Sequence, residues 1–242
     1  MLSLFLLTPE AKEKNKLGKV QVVLMEILLD TANLQEIKLA SKWIPICGIT
    51  TNPTIICREH TNFFQRIKAI KNIIEKKQLH VQVVGNTWEQ MIQNAEAILD
   101  NCRQEIHIKI PATYEGFRAM KELSDRDIPV TATTVYSPEQ AILATLAGAD
   151  CIAVYYNKMY NLNMDPQKTI REISCIIKSS DKPPKILAAS FRNSRQVVEA
   201  FLAGADAATL PYNILKEFWN NPAPAQAVRE FQDDWKKEYS TA

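Results

Sequence analysis

Glycine is scarce, with six in 242 residues, and no Gly-x-Gly-x-x-Gly follows any predicted strand, so the dinucleotide-binding form of a doubly wound sheet lacks its fingerprint. Histidine is scarcer still: His60, His80 and His107 have no metal-ligand spacing, and no metal or other cofactor is expected. The five cysteines, Cys47, Cys57, Cys102, Cys151 and Cys175, are odd in number and form no Cys-x-x-Cys pair. They read as reduced core residues of a cytoplasmic protein rather than a disulfide framework. No apolar run approaches the roughly 18 residues that span a bilayer. No block of one charge stands out either, because 29 basic and 27 acidic residues are intermixed to a net +2, which does not favour nucleic acid as a partner.

What is present is a repeat. Residues 1–24 contain a short apolar stretch, Leu2 to Leu7, without a basic lead, followed by a polar run; they are expected to lie outside the fold, with Met25 able to serve as a start. From Met25 onward, short apolar runs alternate with longer amphipathic ones eight times. Strands are expected at Glu26–Leu29, Cys47–Ile49, Leu79–Val84, Ile106–Ile110, Val130–Val135, Cys151–Val154, Ile186–Ala189 and Ala207–Leu210. The helical patterns are Leu34–Lys42, Phe63–Lys76, Trp88–Leu99, Tyr114–Leu123, Pro138–Leu146, Pro166–Ile177, Ser194–Leu202 and Ile214–Trp219. Ser137-Pro138 and Asp165-Pro166 place a cap residue before a first-turn proline. Leu146-Ala-Gly-Ala-Asp150 and Leu202-Ala-Gly-Ala-Asp206 echo each other, each ending a helix with glycine. The fold class is therefore α/β, a (β/α)8 TIM barrel over residues 25–220, with an open doubly wound sheet as runner-up. A ninth helix, about Gln226–Tyr239, falls in residues 221–242 and is expected to pack on the barrel or on a neighbouring subunit.

In such a barrel the chemistry collects at the C-terminal ends of the strands. Lys109 is the residue that matters most. In Glu105-Ile-His-Ile-Lys-Ile-Pro111 the isoleucines cover one face while Glu105, His107 and Lys109 share the other, which puts an amine inside an apolar wall. Desolvation there lowers a lysine pKa and frees the amine to attack a carbonyl carbon, unless an ion pair to Glu105 or Asp30 makes it structural. Asp30, ending the first strand, either caps the first helix or works as an acid–base group. Thr50, Asn52 and Pro53 read as turn chemistry or as substrate contacts, and Gln82 as a core amide or a site residue. Thr133, Thr134, Tyr155, Tyr156 and Ser190 sit at further strand tips. Arg192 lies between the seventh strand and its helix, where barrels often bind phosphate, and Lys158 could add a second positive charge beyond the sixth.

Two segments carry a resemblance. Cys47-Gly-Ile-Thr-Thr-Asn-Pro-Thr-Ile-Ile56 and Ile108-Lys-Ile-Pro-Ala-Thr-Tyr-Glu-Gly116 resemble the signatures of the transaldolase family, and the short length resembles its fructose-6-phosphate aldolase branch. Met25-Glu-Ile-Leu-Leu-Asp-Thr31, Leu187-Ala-Ala-Ser-Phe191 and Phe231-Gln-Asp-Asp-Trp235 extend it. The resemblance implies a cofactor-free class I aldolase acting on sugar phosphates, with Lys109 forming the Schiff base and Asp30 moving the C4 hydroxyl proton. Asn52, Thr50 and Ser190 would hold the donor end, and Arg192 and Lys158 the phosphate. Gln82 and Thr133 would position a water, with Tyr155 relaying protons. Glutamine and tyrosine at those two positions resemble the aldolase branch; transaldolases of the pentose phosphate pathway carry glutamate and phenylalanine. Cys47 stands where many relatives have aspartate, and Lys158 where an arginine is common. A homodecamer of two pentameric rings is also implied. The rivals are a transaldolase and a catalytically silent sugar-phosphate-binding scaffold.

Overall fold

In the computed structural model, residues 25–102 and 106–239 are described. Eight parallel strands close into one barrel in sequence order. They are β1 (Glu26–Asp30), β2 (Gly48–Thr50), β3 (Gln78–Gln82), β4 (His107–Pro111), β5 (Val130–Val135), β6 (Cys151–Tyr155), β7 (Lys185–Ala189) and β8 (Ala207–Leu210), with β8 paired back to β1. The open-sheet alternative is thereby excluded. The helices are α1 (Leu34–Ser41), α2 (Pro53–Cys57), α3 (Phe63–Ile74), α4 (Trp88–Cys102), α5 (Tyr114–Asp125), α6 (Pro138–Leu146), α7 (Tyr156–Asn161), α8 (Pro166–Ile177), α9 (Ser194–Leu202), α10 (Tyr212–Glu217) and α11 (Pro222–Tyr239).

Strand alternation builds the core. Leu29, Ile49, Leu79, Val81, Ile108, Ile110, Ile152 and Val154 point outward into the layer of helices and belong to one large buried cluster. Leu28, Ala153, Leu187 and Ala207 form a small separate cluster, the apolar part of the barrel interior. The echoed segments do the same job twice: Gly148 and Gly204 take left-handed φ of 82° and 106° after α6 and α9, a conformation that costs glycine nothing. Asp150 then accepts a hydrogen bond from the Val130 N–H (2.9 Å), and Asp206 one from Ile186 (2.8 Å), each tying down the preceding strand.

Three expectations need correction. Only Cys102 and Cys151 are buried; Cys57 and Cys175 are exposed and Cys47 is half-buried, so the thiols are free but mostly not core residues. The helices α2 and α7 were not anticipated. The last helix starts earlier, at Pro222, and buries no residue against its own barrel. The expectation for residues 1–24, and the face assigned to Glu105, fall outside the described residues. No helix among the described residues is long and apolar enough to cross a membrane.

Candidate active site

Lys109 lies in the middle of β4 with 4% of its surface exposed, flanked in register by Gln82 on β3 and Thr131 on β5. Its Nζ donates to the Thr51 carbonyl at 2.9 Å. Burial pushes the amine below the usual lysine range, and the Asp30 carboxylate only partly opposes this. Asp30 is pushed the other way, up, by its own burial against the influence of Lys109 and of a hydrogen bond from Thr50. The two groups form no direct ion pair, so the amine is not locked in a structural salt bridge to Asp30. Nor does Asp30 cap α1, a task performed by Asn33.

The Thr50 hydroxyl donates to Asp30 Oδ1 at 2.6 Å and is 2.7 Å from the Thr209 hydroxyl, which must therefore be the donor of that second bond. Thr50 is fully buried and holds Asp30 instead of facing a ligand. Asn52 fills the expected turn role, its Oδ1 capping α2 by accepting from the Ile55 N–H at 2.9 Å, and it also lines the mouth, so its amide N–H groups are left to donate.

Above Lys109 is a cavity of about 630 Å³. Asp30, Asn52, Pro53, Gln82, Thr134, Tyr155, Lys158, Ser190 and Arg192 all line it, which brings nine residues singled out in the sequence to one place. Lys109 and Thr133 do not line it but adjoin residues that do, Lys109 beside Gln82 in register and Thr133 at the Tyr155 hydroxyl. The Thr133 and Tyr155 hydroxyls are 3.0 Å apart, and burial raises the Tyr155 phenol. Tyr156 points away into the helix layer, donating to Glu199 at 2.9 Å, so Tyr155 is the tyrosine that faces inward. Lys158 Nζ lies 4.8 Å from the centre of the Tyr155 ring, a cation over its face. Gln82 Oε1 is buried without a hydrogen-bond partner among the described residues.

Two strand ends are strained. Thr134 has φ 58° and Ser190 φ 64°, values rare for a β-branched residue and uncommon for serine. At Thr134 the β5–β6 register slips, and Thr134 lines the mouth. The Thr134 hydroxyl holds the slip, donating to the Thr133 carbonyl (2.6 Å) and accepting from the Ala112 N–H (3.3 Å). Ser190 in turn accepts the Asn157 N–H at its carbonyl (3.0 Å). Arg58, Asn157 and Asn161 also line the cavity and escaped the reading of the sequence. They belong to α2 and α7, or in the case of Arg58 directly follow α2, so without those helices nothing in the sequence aimed them at the mouth.

A buried amine with a lowered pKa, a carboxylate nearby and a hydroxyl pair beside it can attack a carbonyl and shuttle protons around the adduct. The model of the transaldolase/fructose-6-phosphate aldolase family matches residues 27–242. The chain belongs to that family. It is 43% identical over 213 residues to a Streptococcus pneumoniae protein described as a probable fructose-6-phosphate aldolase, covering 87% of this chain and 96% of that one. A probable transaldolase of Petrotoga mobilis is 36% identical, covering 88% and 96% respectively. Among solved structures, inosine 5'-monophosphate dehydrogenase from Legionella pneumophila superposes with a TM-score of 0.57 at 17% identity, covering 78% of this chain and 58% of that one. A mandelate oxidase variant gives 0.54 at 12%, covering 78% and 64%. The chain spans only about three-fifths of those two structures, and at such identities they share the barrel alone. The protein is thus an enzyme of the transaldolase and fructose-6-phosphate aldolase family.

Proposed function

We propose that the protein is a class I aldolase that reversibly cleaves fructose 6-phosphate to dihydroxyacetone and glyceraldehyde 3-phosphate. The observation that carries this reading is the buried Lys109 amine, with its pKa pressed down and Asp30 in the same interior. The free amine attacks the ketose C2; loss of water gives an iminium that draws electrons. When C3–C4 breaks, its electron pair moves into an enamine on Lys109, the C4 hydroxyl proton goes to Asp30, and glyceraldehyde 3-phosphate leaves. A proton returns to C3, water adds at C2, and dihydroxyacetone departs as the amine is restored. In this scheme Asn52 and Ser190 hold the donor hydroxyls, Lys158 and Arg192 the phosphate, and Gln82 with Thr133 the water. Tyr155, paired with Thr133, relays the protons.

Neutral Gln82 and the Tyr155 hydroxyl favour hydrolysis of the imine over passing the three-carbon unit to a second sugar, which is why the aldolase is preferred to the transaldolase. The cysteines that face solvent fit a reducing cytoplasm. Assembly belongs to the same reading: Val228, Phe231, Trp235 and Tyr239 form an uncovered apolar stripe on α11, which suits a homo-oligomer, a decamer by resemblance, with α11 seated on a neighbouring copy.

Borohydride reduction in the presence of dihydroxyacetone, followed by mass spectrometry, should place the adduct on Lys109, with none on Lys109→Met. Free dihydroxyacetone released from fructose 6-phosphate without erythrose 4-phosphate distinguishes cleavage from transfer. Absence of an adduct would leave the silent scaffold.

A further inference from the structure

The mouth of the barrel holds more positive charge than its neighbours balance. Among the described residues Asp30 is the only carboxylate lining the cavity, and it accepts a hydrogen bond from Thr50. Arg58, Lys158 and Arg192 line the rim, and none of them forms an ion pair among the described residues. Lys158 and Arg192 follow β6 and β7. Arg58 follows β2, which in a closed ring of eight lies four strands from β6 in either direction, on the facing wall. Its position is imposed locally: Asn52 caps α2, Pro53 fills the first turn, and after this five-residue helix Arg58 closes the C-terminal end with its N–H on the Thr54 carbonyl. Glu59, the nearest acid in sequence, turns away to Arg66 at 3.3 Å.

We propose that Arg58 is a specificity-determining residue, taking an anionic terminus of the substrate from the wall opposite Lys158 and Arg192. The class of ligand follows from the side chains: an unpaired guanidinium presents a planar fork suited to two oxygens of a phosphate dianion, whereas Lys158 is a point charge already turned toward the Tyr155 ring. Cations on both walls favour a phosphate held over the mouth between them, and a neutral sugar gains nothing from them. The inference deepens the aldolase reading and rests on it for the identity of the substrate, though not for the binding of phosphate.

The test is cleavage of fructose 6-phosphate and of unphosphorylated fructose by the full-length wild type, Arg58→Gln and Arg58→Lys. Arg195→Gln removes the same charge from outside the cavity and serves as the control. Arg58→Gln should lower kcat/KM for the phosphate ester about tenfold, through KM, and change fructose less than about twofold. Arg58→Lys should recover part of the loss, and Arg195→Gln should resemble wild type. Equal losses on both substrates would make Arg58 structural, and no loss on either would make it a solvated rim residue; each overturns the proposal. Calorimetric titration with inorganic phosphate separates the two levels. If wild type cleaves no ketose yet binds phosphate more tightly than Arg58→Gln, the aldolase reading falls and the anion site stands. If cleavage is normal and phosphate binding is the same in both, the anion site falls alone.

Discussion

The two ends of the barrel spend their polar groups differently. At the end where strands begin, Asp150 and Asp206 cap backbone N–H groups of the strands before them, and Lys185 pairs with Glu26. At the end where strands finish, Arg58, Lys158 and Arg192 have no acid, and Gln82 Oε1 has no partner among the described residues. Thr134 and Ser190 there hold left-handed backbone worth about 1–3 kcal/mol of strain each. One end ties its charges to its own backbone while the other leaves cations and an amide oxygen without partners among the described residues, a difference that supports the proposed site independently of any relative.

The sharpest way to test the division is to remove one group from each end. Tyr155→Phe deletes the hydroxyl that meets Thr133 and leaves the ring on its packing partner Tyr136. Steady-state cleavage should show kcat down about a hundredfold, the loss of one positioned proton relay, with the unfolding midpoint little changed. Asp206→Ala should do the reverse. It strands the Ile186 N–H at the start of β7, so urea unfolding should show a loss of about 1–3 kcal/mol while kcat/KM holds. A fall in activity as large as that of Tyr155→Phe would mean that the two ends are not separable.

The end where strands begin was also the more legible in the sequence. Strand positions are periodic, so all eight were placed within two residues of their observed limits, and the echoed Leu-Ala-Gly-Ala-Asp motif marked both glycine turns. At the mouth the sequence points to strand tips such as Asp30 and Tyr155 and to residues just beyond a strand, Asn52, Lys158 and Arg192, but not to Arg58, Asn157 or Asn161. Asn52-Pro53 follows the same cap-and-proline rule as Ser137-Pro138, yet the sequence reads as a turn there because the five residues of α2 are too few to show helical periodicity. The other unexpected helix, α7, begins without any side-chain cap, directly from β6, and no local signal announces it. Arg58 was invisible for the same reason: one charge in Arg58-Glu59-His60 gains a direction only from the helix before it.

Between the two ends lies a layer that belongs to neither, and it permits the finest test. His80 Nε2 is 3.2 Å from Gln78 Oε1 and Nδ1 is 2.8 Å from the Thr131 hydroxyl. Because an amide oxygen only accepts, the ring carries its proton on Nε2, and Thr131 donates to Nδ1. His107 stacks on it at 4.3 Å. In register, His80 faces His107 and Thr131 faces Lys109, so the bond between His80 and Thr131 crosses β4 immediately beneath the lysine. Burial holds His80 well below its ordinary pKa of 6.5, reinforced by His107, Lys109 and Lys185. Above pH 6.5 the ring is neutral folded or unfolded; as pH falls below that value the unfolded chain takes up a proton that the folded one refuses, and stability declines. His80→Gln can keep a hydrogen bond to Thr131 and cannot titrate. Between pH 7 and 5.5, urea unfolding should therefore cost the wild type about 1 kcal/mol more than the variant, one proton's worth of linkage over that interval. Parallel curves for the two proteins would instead show that His80 is protonated in the fold, which would put a second cation under Lys109 and move the layer to the side of the mouth.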